Sequence, residues 1–412
     1  MNTITYIKRV LRLGSTPGYL LISYYIVQSL FARQKDDATA IDLTAIIFAA
    51  YSMICLFVGI KVLFERGNNN ISRNILFKTP LIWFVLYTIW GGISSFWSIH
   101  FALTAYRAIE CLGMTAIILA TLTRLSRYNN INLILDWTAV YVFLSIMIRF
   151  VQYINYGVPL IPSIGYGGAF ECAQMIATIF CFLAWFYVRN KIIKITILIF
   201  AVFSMSTTGY IGMALGLVAY FWGTKREKKL AIMGTIIISL VAFLYGPEKL
   251  LKDTVFIERS DIDYTKMSGR DQIWELGIEW VKKRPLTGYG FVAGENFLLR
   301  LGEGRMGVIG MHNTFMSALV GEGLIGLFLI TMFWITMTKI ILSRSIPIRY
   351  RALLLSSYIA SFIQSIANPG IGFRVYGSWM AAMYICILIC VISKYPYNKN
   401  ICKEKVLNRK FL

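Results

Sequence analysis

Leu43-Thr44-Ala45-Ile46-Ile47-Phe48-Ala49-Ala50-Tyr51-Ser52-Met53-Ile54-Cys55-Leu56-Phe57-Val58-Gly59-Ile60 runs for eighteen residues without a charge. At about 1.5 Å of rise per residue it covers most of the roughly 30 Å hydrocarbon thickness of a bilayer, where a backbone finds hydrogen-bond partners only within its own helix. Similar runs recur from end to end. Spans are expected near 17–33, 40–63, 79–98, 101–122, 131–151, 169–188, 191–206, 208–223, 230–246, 313–342, 352–367 and 371–393, about twelve in all. Composition agrees: of 412 residues 57% are hydrophobic, 15% aromatic and 15% charged, with a mean hydropathy of +0.64. That profile excludes a soluble domain. The chain reads as an all-α polytopic membrane protein. Residues 1–245 form transmembrane helices 1–9, residues 246–312 one large external loop with amphipathic helices, residues 313–393 helices 10–12, and residues 394–412 a basic tail.

A formal charge of +21 invites a nucleic-acid reading, but its distribution does not. Lys8, Arg9 and Arg12; Arg66, Arg73 and Lys78; Arg124 and Arg127; Arg189, Lys191 and Lys194; Lys225, Arg226, Lys228 and Lys229; Arg344, Arg349 and Arg351; and the Lys-rich tail all fall in connections on one side. The short connections on the other side carry little net charge. This pattern follows the positive-inside rule; it predicts cytoplasmic termini and an external 246–312 loop, and it removes nucleic acid as a partner. No small-residue cleavage site follows the apolar stretch at 18–32, so a retained first helix is expected. The seven cysteines fall in expected spans or in the tail, which argues against a disulfide framework. Cys386 and Cys390 share a helix face but lack histidine or carboxylate companions for a metal. The sequence around Ser204 to Gly209 reads as a break between two short spans. Arg107 and Glu110, three residues apart, share one helix face that is unsuited to lipid.

Polar chemistry concentrates between Gly246 and Asn313. Ser268-Gly269-Arg270-Asp271, followed by Ile273, Trp274, Gly277, Ile278, Trp280 and Val281, is a capping signal leading into an amphipathic pattern, and predicts a helix over 270–283 stopped by Pro285. Arg270 then sits at a helix N-terminus, whose amides and dipole favour a phosphate. The alternative is an ion pair with Asp271, Glu275, Asp261 or Asp263. Leu286-Thr287-Gly288-Tyr289-Gly290-Phe291 reads as a tight turn carrying the chain back toward His312; without a preceding strand or a following Lys-Ser/Thr it is not a nucleotide loop. His312 and His100 are the two histidines. Asn313 is placed to cap a helix beginning at Thr314, which puts the His312 imidazole at a dipole-positive mouth suited to a neutral general base. His100 reads as structural or secondary. Asp261-Ile262-Asp263 lacks the mononucleotide fold that would make it a metal site, and no serine occupies a hydrolase elbow. No metal and no cofactor are expected.

Taken in order, Ser95-Phe96-Trp97-Ser98, Ser268-Gly269-Arg270-Asp271-Gln272-Ile273-Trp274, Arg284-Pro285-Leu286-Thr287-Gly288-Tyr289-Gly290, His312-Asn313-Thr314 and Gly321-Glu322-Gly323-Leu324-Ile325-Gly326 resemble the O-antigen ligase and polymerase superfamily of bacterial envelope glycan assembly. The motifs cover about a third of the chain. The resemblance implies a GT-C-like, metal-independent, inverting glycosyltransferase at the external face of the bacterial cytoplasmic (inner) membrane. Its donor is a glycan on undecaprenyl diphosphate, its acceptor a glycan or lipid-linked group, and a flippase and a chain-length regulator are its implied partners. Carried over by motif, Arg270 binds the leaving diphosphate and His312 activates the acceptor hydroxyl; Trp274, Asn313 and Glu322 join as substrate-binding residues. Where such proteins carry a Ser-Arg pair, this chain has Ser206-Thr207-Thr208. A second cation is then sought among Arg107, Arg149, Arg284 and Arg305. The motif texture leans toward a polymerase of repeat units, with a ligase that transfers the finished chain as the alternative. A transporter lined by Arg107, Glu110, Asp136, Arg149 and Glu171 is a third reading, weakened by the lack of repeated halves.

Overall fold

The computed structural model of the chain describes residues 3–30, 43–65, 76, 80–126, 128, 130–155, 168–202, 207–223, 270–300, 310–343, 346–367, 384–385, 387–389 and 391–392. All regular structure among them is helical. In chain order the helices are α1 (Thr3–Leu30), α2 (Leu43–Phe64), α3 (Leu81–Ile93) with a 3-10 turn (Ser94–Trp97), α4 (Phe101–Ser126), α5 (Ile131–Asn155), α6 (Gly168–Tyr187), α7 (Lys191–Val202), α8 (Thr207–Gly223), α9 (Arg270–Lys283), α10 (Ala293–Arg300), α11 (Thr314–Leu342) and α12 (Ile348–Ala367). Four stretches are long and apolar enough to cross a membrane: Ala45–Phe64, Phe101–Ser126, Ile131–Ile148 and Thr314–Leu342. Leu81–Trp97, Ile176–Tyr187 and Ile211–Phe221 are apolar but shorter. The described residues are those of a helical membrane protein, with four such spans where about twelve were expected. The expected span 230–246, most of 371–393, Asp261, Asp263, Ser268, Gly269, Arg305 and the basic tail lie outside the described residues.

α4 is the axis of the first half, with α1, α2, α3 and α5 packed against it and its side chains buried almost throughout. Farther along, α6 packs on α5, α7, α8 and α12, and α8 lies along α12. α1 departs from the expected 17–33. It begins at Thr3 and breaks at Ser15 (φ 48°), two residues before Pro17. A proline ring meets the carbonyl four residues earlier, which accounts for a break at this place. The basic first segment is therefore helical too, since its charges disqualify it from lipid but not from helix. The break is pinned from α4: Arg124 donates to Ser15 Oγ at 2.6 Å and pairs with Glu65, just past the end of α2, at 2.9 Å.

At the other end of the bundle α11 breaks at Gly323, where φ is +70° and ψ is −162°. A break of this kind takes the carbonyls before it and the amides after it away from their helical partners, and at membrane depth they must find others in the protein. The turn that follows α9 supplies them. Tyr289 N–H donates to Val320 C=O at 3.0 Å, Gly290 N–H donates to Gly321 C=O at 2.8 Å, and Leu324 N–H donates to Pro285 C=O at 2.8 Å. Glu322 C=O accepts from the Trp90 indole at 3.2 Å. The end of α3 closes the other side of the turn. Ser94 Oγ accepts from Phe291 N–H at 3.0 Å, the Trp97 indole donates to Thr287 C=O at 3.1 Å, Thr104 Oγ1 donates to Phe291 C=O at 3.2 Å, and Ile99 N–H donates to Tyr289 C=O at 3.1 Å.

Glycines make this contact between backbones possible. A Cβ on Gly288 (φ +61°) would stand 2.6 Å from the Gly321 carbonyl carbon, and one on Gly323 would overlap the Leu286 carbonyl. Beyond the break, residues 324–342 extend about 28 Å, close to a full hydrocarbon thickness, and turn Leu324, Ile325, Phe328, Ile335 and Leu342 outward. Gly323→Ala combines a disfavoured left-handed alanine with that overlap and is expected to cost about 2–4 kcal/mol, read as a lowered thermal midpoint of the detergent-solubilised protein. Gly92→Ala, whose Cβ would meet only Ala108 Cβ at 3.5 Å, is the matched control and should leave the midpoint within a degree or two, at about 0.5 kcal/mol or less.

Candidate functional site

Helix α9 forms as its pattern predicts, from Arg270 to Lys283, ahead of Pro285. Its apolar stripe, Ile273, Trp274, Leu276, Trp280 and Val281, packs with Leu299 of α10, Met311, and Val320 and Met316 of α11. Within this cluster the Trp274 indole N–H donates to the Met311 carbonyl at 2.8 Å. Trp274 stands one turn after Arg270 on the same helix face, so the bond sets the N-terminal turn of α9 beside the peptide that precedes His312.

The backbone around His312 is tightly held. Met311 is fully buried; its carbonyl is taken by Trp274, and its N–H donates to Glu295 Oε2 at 2.8 Å. The same carboxylate oxygen accepts from Ser317 Oγ at 2.8 Å. Asn313 is the N-cap of α11 as expected: its side-chain oxygen accepts from Phe315 N–H at 2.8 Å and Met316 N–H at 3.1 Å. His312 lies between these two anchors in a left-handed conformation, φ +50°, which a non-glycine residue adopts only when its surroundings enforce it. Half-buried, the imidazole stands at the start of α11, where the helix dipole is positive.

The other candidates are distributed differently. Arg284, exposed, lies over the Tyr289 ring at 4.9 Å and is separated from Arg270 by the length of α9, about 20 Å. Arg107 pairs with Glu110 at 2.6 Å, and the buried Glu110 carboxylate also accepts from the Tyr24 hydroxyl at 3.3 Å. Glu322 is fully buried between Gly91 and Gly326, with the Tyr87 side chain beside it, inside the packing at the α11 break. Trp274, expected to touch substrate, has its indole N–H committed to Met311. Arg305 is outside the described residues, as is the side chain of Arg149. His100 caps α4 by accepting Leu103 N–H on Nδ1 at 3.1 Å, with its ring against Phe297 of α10.

Glu295 was not singled out by the sequence. It is 1% exposed, in the first turn of the eight-residue α10, and the helix is fastened to the glycine turn by Gly294 N–H to Gly290 C=O at 2.8 Å. Its one sequence signal is a carboxylate in the first turn after a Gly-rich segment, the position where a helix dipole favours an acid.

Residues 192–331 match the family model described as O-antigen ligase, a stretch from α7 into α11 that takes in Arg270, the glycine turn, His312 and Glu322. No curated protein matches the chain.

The Asn313 cap yields a direct expectation. Asn313→Ala should cost about 1 kcal/mol and Asn313→Asp much less. Hydrogen exchange at the Phe315 and Met316 amides checks this: it should accelerate in the alanine variant and stay near wild type in the aspartate one.

Proposed function

We propose that this O-antigen ligase domain, with the helices around it, works as a glycosyltransferase that joins lipid-linked oligosaccharide repeat units into a polysaccharide at the external face of the cytoplasmic membrane. The observation that supports it best is the Trp274 to Met311 hydrogen bond, which sets the helix start bearing Arg270 against the backbone of His312. Glycosyl transfer from a polyprenyl diphosphate needs two things at one place: a cationic, amide-rich surface for the departing diphosphate, and a group that takes the acceptor's proton. The α9 N-terminus with Arg270 meets the first need. His312 meets the second.

In the proposed reaction the acceptor hydroxyl oxygen attacks the anomeric carbon from the face opposite the diphosphate. A carbon–oxygen bond forms, the bond to the diphosphate oxygen breaks, and configuration inverts. The hydroxyl proton passes to His312, and the negative charge stays on the lipid diphosphate against Arg270. Arg107, whose side chain is 20% exposed and already neutralised by Glu110, is the reserve cation on the membrane side. Removing it would strand a buried carboxylate at a cost of about 3–5 kcal/mol, so loss of activity in an Arg107 variant carries meaning only if its stability is measured with it. A flippase that delivers the donor and a regulator of chain length are the partners this reading calls for.

Arg270→Ala and His312→Ala should each lower turnover of a defined undecaprenyl-diphosphate oligosaccharide by about a hundredfold or more while inserting normally; near-normal turnover in both would remove these two residues from the chemistry, and no turnover by the wild-type protein would sink the transferase reading. A chelator should leave the wild-type rate unchanged. The alternative is a ligase that transfers the finished chain, and deletion of the gene separates the two: loss of a polymerase leaves single repeat units on the acceptor, whereas loss of a ligase strands full-length chains on the lipid diphosphate.

A further inference from the structure

We infer that Glu295 is the positioning residue for His312, an assignment that rests on the base reading given above. Its carboxylate oxygen Oε2 accepts two hydrogen bonds at 2.8 Å, one from Met311 N–H and one from Ser317 Oγ–H. The first donor belongs to the residue immediately before His312, the second to the first turns of the helix that begins just after it. A single buried oxygen therefore ties together the two flanks of the left-handed turn on which His312 sits (φ +50°). The Trp274 indole holds the other end of the same Met311 residue by its carbonyl. With N–H and C=O both engaged, the chain entering His312 has little room to rotate.

Glu295 is itself held from the glycine turn. Gly294 N–H donates to Gly290 C=O at 2.8 Å, Asn296 N–H donates to Val292 C=O at 3.3 Å, and the Asn296 side-chain amide donates to the same carbonyl at 2.8 Å. Gly290 is also the residue that docks on the α11 break. The path from membrane helix to imidazole thus runs from Gly321 through Gly290 and α10 to Glu295, and from there to Met311 and His312. A carboxylate suits this place because one of its oxygens can accept from two donors at once, and being 1% exposed it has no water competing for them. Glu295 acts through Met311 and Ser317, on either side of His312, and has no substrate contact in this role.

The test is steady-state kinetics of the purified full-length protein in lipid nanodiscs, with a defined undecaprenyl-diphosphate oligosaccharide as donor, for wild type, E295A, E295Q, S317A and H312A, each with its thermal midpoint. E295A should lower kcat by about tenfold or more, because a misplaced base costs turnover more than binding, and leave the donor KM within about threefold. E295Q keeps an acceptor oxygen for both donors and should return kcat to within about threefold of wild type. S317A, which removes one of the two donors without emptying the position, should lower kcat several-fold at unchanged KM and keeps the test open if E295A does not fold. Wild-type kcat in E295A or in S317A overturns the positioning role. So does a change confined to KM, or an E295Q as slow as E295A at an unaltered midpoint. Full turnover in H312A overturns the base reading instead, whatever the Glu295 variants do.

Discussion

The broken turn of α11 at Gly323 is a demand that the rest of the site end answers. A helix interrupted at the edge of a membrane leaves carbonyls and amides that water does not reach, and each unanswered group costs on the order of 1–3 kcal/mol. Here Val320, Gly321, Glu322 and Leu324 are answered by Tyr289, Gly290, Trp90 and Pro285. Because the answering groups are mostly backbone, the glycine turn and the helix break must approach to within the width of a missing side chain. That closeness fixes where α9 ends and where α10 starts. Through Trp274 and Glu295 it also fixes the residues around His312.

This arrangement gives a physical meaning to motifs that look like a list along the sequence. Ser94 to Ser98, Arg284 to Gly290 and Gly321 to Gly326 are parts of one hydrogen-bonded joint, and Glu322 belongs to its packed interior rather than to an open surface. Arg270 and His312 lie beyond the joint, on the face it positions. Met311 and Glu295, which hold the chain at His312, are buried, whereas His312 itself is only half-buried.

Local rules were enough for much of this. The α9 limits follow from a capping signal, a 3.6-residue period and Pro285; the Asn313 cap follows from an asparagine ahead of a long apolar run; Gly288 and Gly290 mark the tight turn, where both take positive φ. What escaped depended on distance. Gly321, Glu322 and Gly323 mark a weak point in the α11 run, but nothing local shows that the break is answered by Pro285, nearly forty positions earlier. Glu295 looks like an ordinary loop carboxylate because α10 is too short to display a period, and the tie that gives it a role reaches to Met311 and Ser317. The motifs of Trp274 and Glu322 do not show that the Trp274 indole is bonded to Met311 or that Glu322 is buried, because both are properties of the assembled chain. The early start of α1 was missed for a related reason: charges at Lys8, Arg9 and Arg12 end an apolar run without ending a helix.

The bonds from Trp90, Ser94, Trp97 and Thr104 come from the first quarter of the chain, outside the stretch that matches the family model. The matched stretch therefore completes the hydrogen bonding of this joint with groups from outside itself. A ribosome delivers α3 and α4 to the membrane well before α11 emerges, and N-terminal elements generally settle first. When the interrupted helix arrives, the Trp90 indole that answers its Glu322 carbonyl and the α3 and α4 groups that hold the glycine turn have already been made. The order of residues along the gene is then also an order of assembly, in which the helix least able to stand alone in lipid enters last among the partners that make it tolerable.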